Sequence, residues 1–195
     1  LGGVMAWPTS LQVGLKEWAV VCRALEQGRQ SVLLRKGGIS ESVGGFGIEN
    51  CEFLLFPTYL HQNLEMLKSS EHAGFEAHSA EPDTVSITAA GVITDIIELK
   101  SRAQIEAIDD EHVWTAPLID MRFNYRPKNP LYLLLVRTFR LRTLAMLANT
   151  PAYAGCKSWV TLDQPVASCD ALPVMDDVKY KHRRKSILDR VNAVR

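Results

Sequence analysis

Apolar positions along this chain recur with two periods, one helical and one strand-like. Pro8, Thr9 and Ser10 form a helix-start signature, and Leu15, Trp18, Ala19, Cys22 and Leu25 follow at helical spacing up to Gly28, a natural C-terminal cap. The pattern predicts a first helix. Ser31 to Leu34 reads as a short strand running into the basic, glycine-rich turn Arg35-Lys36-Gly37-Gly38, which Gly44, Gly45 and Gly47 extend. Glu52 to Phe56 reads as a second strand, stopped by Pro57 because proline cannot donate to a central ladder. Asn63 to Ser69 has the look of a short helix, which puts His61 and Gln62 at a strand-to-helix junction. Residues 71–82 show little periodicity and read as a surface loop. Thr84 to Leu99 alternates around Ala90-Gly91 and predicts a hairpin. Arg102 to Asp110 fits a helix, Trp114 to Phe123 is ambiguous, Leu131 to Leu141 is a long strand and Trp159 to Leu162 a shorter one. From Asp176 onward the pattern is helical, with Tyr180, Ile187, Val191 and Val194 as its inner stripe.

No internal repeat and no regular βαβ unit is visible, so the pattern predicts an α+β fold. Its sheet is expected to be mixed or mainly antiparallel, with an N-terminal and a C-terminal helix. With 195 residues, 47% of them hydrophobic, the chain reads as one domain spanning residues 1–195, or 5–195 if residues 1–4 belong to a mis-called start. The longest purely apolar stretch, Leu131 to Val136, is far below the roughly 20 residues of a membrane-spanning helix. The N-terminus lacks the basic and apolar regions of a secretory signal. Cys22, Cys51, Cys156 and Cys169 lie far apart without a C-x-x-C pair, which favours reduced thiols in a cytoplasm and no zinc site.

Charge is balanced overall, with 22 Lys+Arg against 22 Asp+Glu, but not along the chain. Glu71 to Glu111 carries ten acidic residues against Lys100 and Arg102, a net of −8. Met121 to Arg142 carries six basic residues and no acidic one, and Lys179 to Arg195 seven basic residues against Asp189. If the two basic runs share a face, that face suits the phosphates of RNA or DNA.

Four constellations could carry chemistry. Arg35-Lys36-Gly37-Gly38 could hold an anion on cations and backbone N–H groups, or be a strand end with a glycine turn. Tyr59, His61 and Gln62 offer a phenol, an imidazole and an amide, for acid–base work or ligand contact, or simply to hold the turn after Pro57. In Tyr153-Ala154-Gly155-Cys156-Lys157-Ser158-Trp159, Lys157 could activate Cys156, or Cys156 and Trp159 could pack inward as inert core. Pro82-Asp83 followed by Glu98-Leu99-Lys100 reproduces the written signature of PD-(D/E)XK nucleases, in which two carboxylates hold Mg²⁺ and a lysine orients water. Coincidence of a loose motif is the alternative. Apart from that Mg²⁺, no cofactor is expected.

The blocks Leu15-Lys16-Glu17-Trp18-Ala19-Val20, Leu33 to Ile39, Phe53 to Tyr59 with His61-Gln62, and Tyr153 to Trp159 occur in an order that resembles the DUF1802 family of uncharacterised bacterial proteins. The resemblance implies an occasional association with Mrr-type restriction nucleases, and so with nucleic-acid defence, but no activity. Gly28 and Arg35 also echo half of the signature of ASCH/PUA-like RNA-binding barrels, with Gln30 and Leu33 departing from it, which implies at most a barrel-like fold. The expected function is a nucleic-acid-associated module. Arg35, Lys36, Arg122 and Arg137 would meet phosphates, and Tyr59 and Trp159 would stack on bases. A Mg²⁺-dependent nuclease and a protein-interaction domain are the alternatives. Arg35, His61 and Ser158, each at a strand end or turn, are expected to share one pocket with Tyr59 on its wall.

Overall fold

A computed structural model describes residues 7–36, 51–155 and 157–194. In chain order it contains β1 (Ser10–Trp18), α1 (Ala19–Glu26), β2 (Val32–Lys36), β3 (Glu52–Thr58), β4 (Thr84–Leu99), α2 (Arg102–Glu106), α3 (Ala116–Asn124), β5 (Leu131–Ala148), β6 (Trp159–Ala167), β7 (Leu172–Pro173) and α4 (Asp177–Ala193). Short 3-10 turns sit at Leu64–Met66, Ser69–Gly74, Asp109–Glu111 and Pro151–Tyr153. The seven strands form one sheet in the order β2-β5-β4-β3-β1-β6, with β7 alongside β5. Only β1 and β3 run parallel; the other pairings are antiparallel. The fold is therefore α+β with a mixed, mainly antiparallel sheet. The sheet is open: β2 and β6 end the order and are not paired with each other among the described residues. No described helix is long and apolar enough to cross a membrane.

Leu131 to Leu141 forms a strand as its pattern predicts, and β5 continues to Ala148 against the whole length of β4. The hairpin expected within 84–99 is instead the unbroken strand β4. Gly91 serves close packing there rather than a turn. A Cβ at this position would lie 2.8 Å from Val136 Cγ1 and 2.9 Å from Phe53 Cζ, so two neighbouring strands use the space a side chain would take. Gly91→Ala is expected to destabilise the fold by about 1–3 kcal/mol, as overpacking of a filled core does. Urea unfolding checks this, and an unchanged midpoint would contradict it.

The first helix is half as long as the apolar spacing predicts, because residues 10–18 form β1. Ser10-Leu11-Gln12-Val13 alternates polar and apolar, and β1 gains ladder partners on both edges, from β3 and β6. Tertiary pairing overrides a pattern shared by helix and strand. The helix ends as expected: Gly28, just beyond it, takes the left-handed φ of 70°. Pro57 does not stop β3, which runs on to Thr58. The ladder to β4 covers only Glu52 to Leu54, so Pro57 sits where its missing N–H faces no strand partner on that side.

The C-terminal helix forms as predicted, capped by the Asp176 carboxylate, which accepts from Lys179 N at 2.8 Å. It buries Tyr180, Ile187 and Val191. Its basic run faces the protein's own acidic segment: Arg183 pairs with Glu111, Arg184 with Asp95 and Arg190 with Asp110. The charge asymmetry of the sequence is largely neutralised inside the fold.

Candidate nucleic-acid interface

The end of β1 gathers four segments. Trp18 pairs with Thr58 at the end of β3, and Leu15 with Trp159 at the start of β6. Lys16 N donates to Ser158 O at 2.8 Å. From β2, Arg35 reaches across so that its Nη1 donates to Glu17 Oε2 at 2.8 Å and its Nη2 to Lys16 O at 3.0 Å. Both partners of this ion pair are buried, with 9% and 6% of their side chains exposed. Glu17 also accepts from Trp18 N at 2.8 Å through Oε1, and its carbonyl accepts from Thr58 Oγ1 at 3.1 Å.

A second guanidinium shares this carboxylate's field. Burial holds the Arg122 guanidinium below its ordinary pKa, Glu17 pulls it back up and Arg35 pushes it down. The Nε atoms of Arg35 and Arg122 are buried without a hydrogen-bond partner among the described residues. Beside them, Lys36 Nζ donates to Phe123 O at 2.9 Å, and the backbone of Lys36 pairs with Leu131. The turn that leads into Leu131 exposes Arg126 and Lys128, with the Arg126 guanidinium over the Tyr125 ring. Lys157 is exposed next to Ser158. This corner of the molecule collects cations around the buried Glu17 carboxylate.

Other expected members lie elsewhere. Arg137 is drawn to α4, where it pairs with Asp177 and lies over the Phe139 and Tyr180 rings. Arg35 is opposite Tyr132 on β5. Arg137 is five positions along that strand, about 17 Å away and on the other face of the sheet. It does not join the Arg35 cluster. Trp159 is half-buried and packs edge-on against Phe53, ring centroids 5.7 Å apart, so its ring belongs to the core rather than to a stacking surface. Gly37, Gly38 and Cys156 lie outside the described residues.

The single pocket expected for Arg35, His61 and Ser158 divides in two. Ser158 meets the Arg35 corner through its backbone carbonyl, which accepts from Lys16 N. His61 is exposed with a left-handed φ of 72°, and Gln62 turns inward, its Oε1 accepting from Val20 N at 3.0 Å at the start of α1. Tyr59 and Gln62 instead line a cleft of about 290 Å³ between α1 and the β3–β4 surface, which Arg35 does not enter. Burial and the neighbouring Cys22, Glu76 and Glu81 raise the Tyr59 pKa, so the phenol is neutral and can donate a hydrogen bond.

The metal reading loses its geometry. Asp83 immediately precedes β4 and Glu98 lies near its far end, at opposite ends of the ladder to β5 and separated by up to about 50 Å of extended strand. They cannot hold one ion. Lys100 pairs with Glu98 at 2.5 Å, and no group of three metal-ligating side chains occurs among the described residues.

Glu17, the residue on which the corner is built, was not singled out by the sequence. The available signal was a carboxylate at an inward position of an apolar run, two residues after Leu15. Arg23, Glu26 and Thr88 of the cleft gave no signal, since two come from a helix face and one from mid-strand.

The chain belongs to the family described as "Domain of unknown function (DUF1802)", whose model matches residues 14–186. A search of curated proteins gave no match. Among solved structures the chain is similar to a mutant ZmASCH protein from Zymomonas mobilis, at 9% identity and a TM-score of 0.41, over 73% of this chain and 92% of that one.

Proposed function

We propose that this protein is a nucleic-acid-binding module that holds phosphates at the corner formed by the ends of β1 and β2 and the turn before β5. One observation carries the reading. Lys36, Arg122, Arg126 and Lys128 gather beside the buried Arg35–Glu17 pair, whereas the cations of α4 are spent on the protein's own carboxylates. Arg35 and Arg122 set the field from inside, and Lys36, Arg126, Lys128 and Lys157 meet the phosphates. A place beside restriction-type nucleases in a bacterial cytoplasm, implied by the family resemblance, belongs to the same proposal.

Surface substitutions test the assignment. Lys36→Ala with Lys128→Ala is expected to weaken binding of a labelled single strand and to lower the slope of log K against log salt by about 1.4, two phosphate contacts at about 0.7 each. Arg183→Ala, on α4, is expected to leave binding unchanged. Equal losses from both faces, or no loss from the first pair, would overturn the assignment.

A further inference from the structure

The cleft beside α1 is separate from the phosphate corner in its lining and has its own chemistry. Leu55 and Pro57 form its apolar side, Tyr59 a wall, and Arg23, Glu26, Gln62, Glu76, Ser86 and Thr88 its polar groups. Its volume of about 290 Å³ lies at the small end of ligand sites, enough for one flat ring system and its sugar. Glu26 is held in place: Oε2 accepts from Thr88 Oγ1 at 3.0 Å, and Oε1 lies 3.7 Å from Arg140 Nε, beyond a hydrogen bond and with accepting capacity left. Among the described residues the Arg23 side chain forms no ion pair or hydrogen bond. It stands between this cleft and a second one of about 260 Å³ that it lines together with Gln27, Arg29 and Gly74.

We infer that the cleft binds one unstacked nucleobase that carries an exocyclic amino group, stacked on Tyr59. The choice of ligand class rests on the nucleic-acid reading, and the preference within it on the donors and acceptors. A carboxylate only accepts, so Glu26 rewards an amino group, as acidic side chains do when they read the amino edge of a base. Arg23 only donates, so it suits the ring nitrogen or carbonyl beside that group. Adenine, cytosine and guanine offer an amino group with two donor hydrogens beside an acceptor, whereas uracil offers only its single ring N3–H beside a carbonyl. The cleft also adjoins the phosphate corner: Cys22 lines it, and the Cys22 thiol donates to the carbonyl of Glu17 at 3.7 Å.

Free nucleosides test the cleft without phosphates. Titrating the full chain with adenosine, cytidine, guanosine and uridine, followed by calorimetry or ligand-observed NMR, is expected to give saturable binding of the first three and weaker binding of uridine. Tyr59→Ala is expected to weaken binding about 5- to 150-fold, the range measured for loss of one base–aromatic stack. Tyr59→Phe keeps the ring and should bind as wild type, which separates stacking from misfolding. Glu26→Gln, which can donate as well as accept, should narrow the gap to uridine. No saturation by any nucleoside at millimolar concentration, Tyr59→Ala binding as wild type, or uridine binding as tightly as the others would each overturn the inference. If nucleosides fail while a single strand still binds with a salt slope, the cleft inference alone falls. If nucleosides bind and no strand does, the phosphate corner falls and the cleft stands as a nucleoside site.

Discussion

Glu17→Met is expected to cost about 3–5 kcal/mol of stability, the usual result of leaving a buried charge without its partner. Here the loss leaves two guanidiniums, Arg35 and Arg122, facing each other in a buried setting where burial already disfavours the charge on Arg122. The converse substitution should cost less. Arg35→Met leaves Glu17 with Arg122 as its remaining counter-charge, so one carboxylate still faces one cation. Urea unfolding of both variants reads the asymmetry directly. Equal losses would show that Arg122 does not share the Glu17 field, and a loss below about 1 kcal/mol for Glu17→Met would place the pair in the class of solvent-screened surface bridges.

Acid is expected to destabilise this protein in two separate windows. His112 has no exposed side-chain surface, and neither ring nitrogen has a hydrogen-bond partner among the described residues. Burial, then the Lys68 charge, lowers its pKa from 6.5 to about 4, with Asp109 opposing. An imidazole that titrates lower in the folded chain than in the unfolded one takes up a proton on unfolding at intermediate pH. Stability is therefore unaffected above about pH 6.5 and is lost as pH falls towards 4. The loss should reach about 2 kcal/mol at pH 5 and about 3 kcal/mol below pH 4. Asp110 acts lower on the scale. The hydrogen bond from Arg190 holds its pKa below the usual 3.8, so its contribution is present above that value and lost only beneath it. His112→Phe, which keeps a ring beside Trp114, should flatten the curve between about pH 7 and pH 5 and leave the lower window. A wild-type midpoint that does not move across the upper window would contradict the assignment.

Elements stabilised by their own pattern were legible in the sequence. β5, β2 and α4 form where apolar periodicity and an Asp176 cap place them. β1 was not legible as a strand, nor β4 as a single unbroken one, because their character comes from partners distant in sequence. The spacing of Leu15, Trp18, Ala19 and Cys22 suits a helix until β3 and β6 close on both edges of residues 10–18. Gly91 looks like a turn until Phe53 and Val136 are known to fill the space over it.

The site divides along the same line. Arg35, Lys36, Arg122 and Tyr59 were nameable from residue type and position at strand ends or in basic runs. Glu17 was not, because a lone carboxylate in an apolar run has no visible purpose until the curl of the sheet brings β2 onto it. Arg137 and the α4 cations looked equally suited to phosphate. Their carboxylate partners lie about 40 to 90 residues away in sequence, too far for charge patterning to pair them.

The affinity of the full chain for a labelled single-stranded RNA across a salt series tests the phosphate corner itself. Binding should fall linearly in log K against log salt, with a slope of about −2 to −3 for three to four phosphate contacts at about 0.7 each. No binding at low salt, or binding whose affinity does not change with salt, would contradict it.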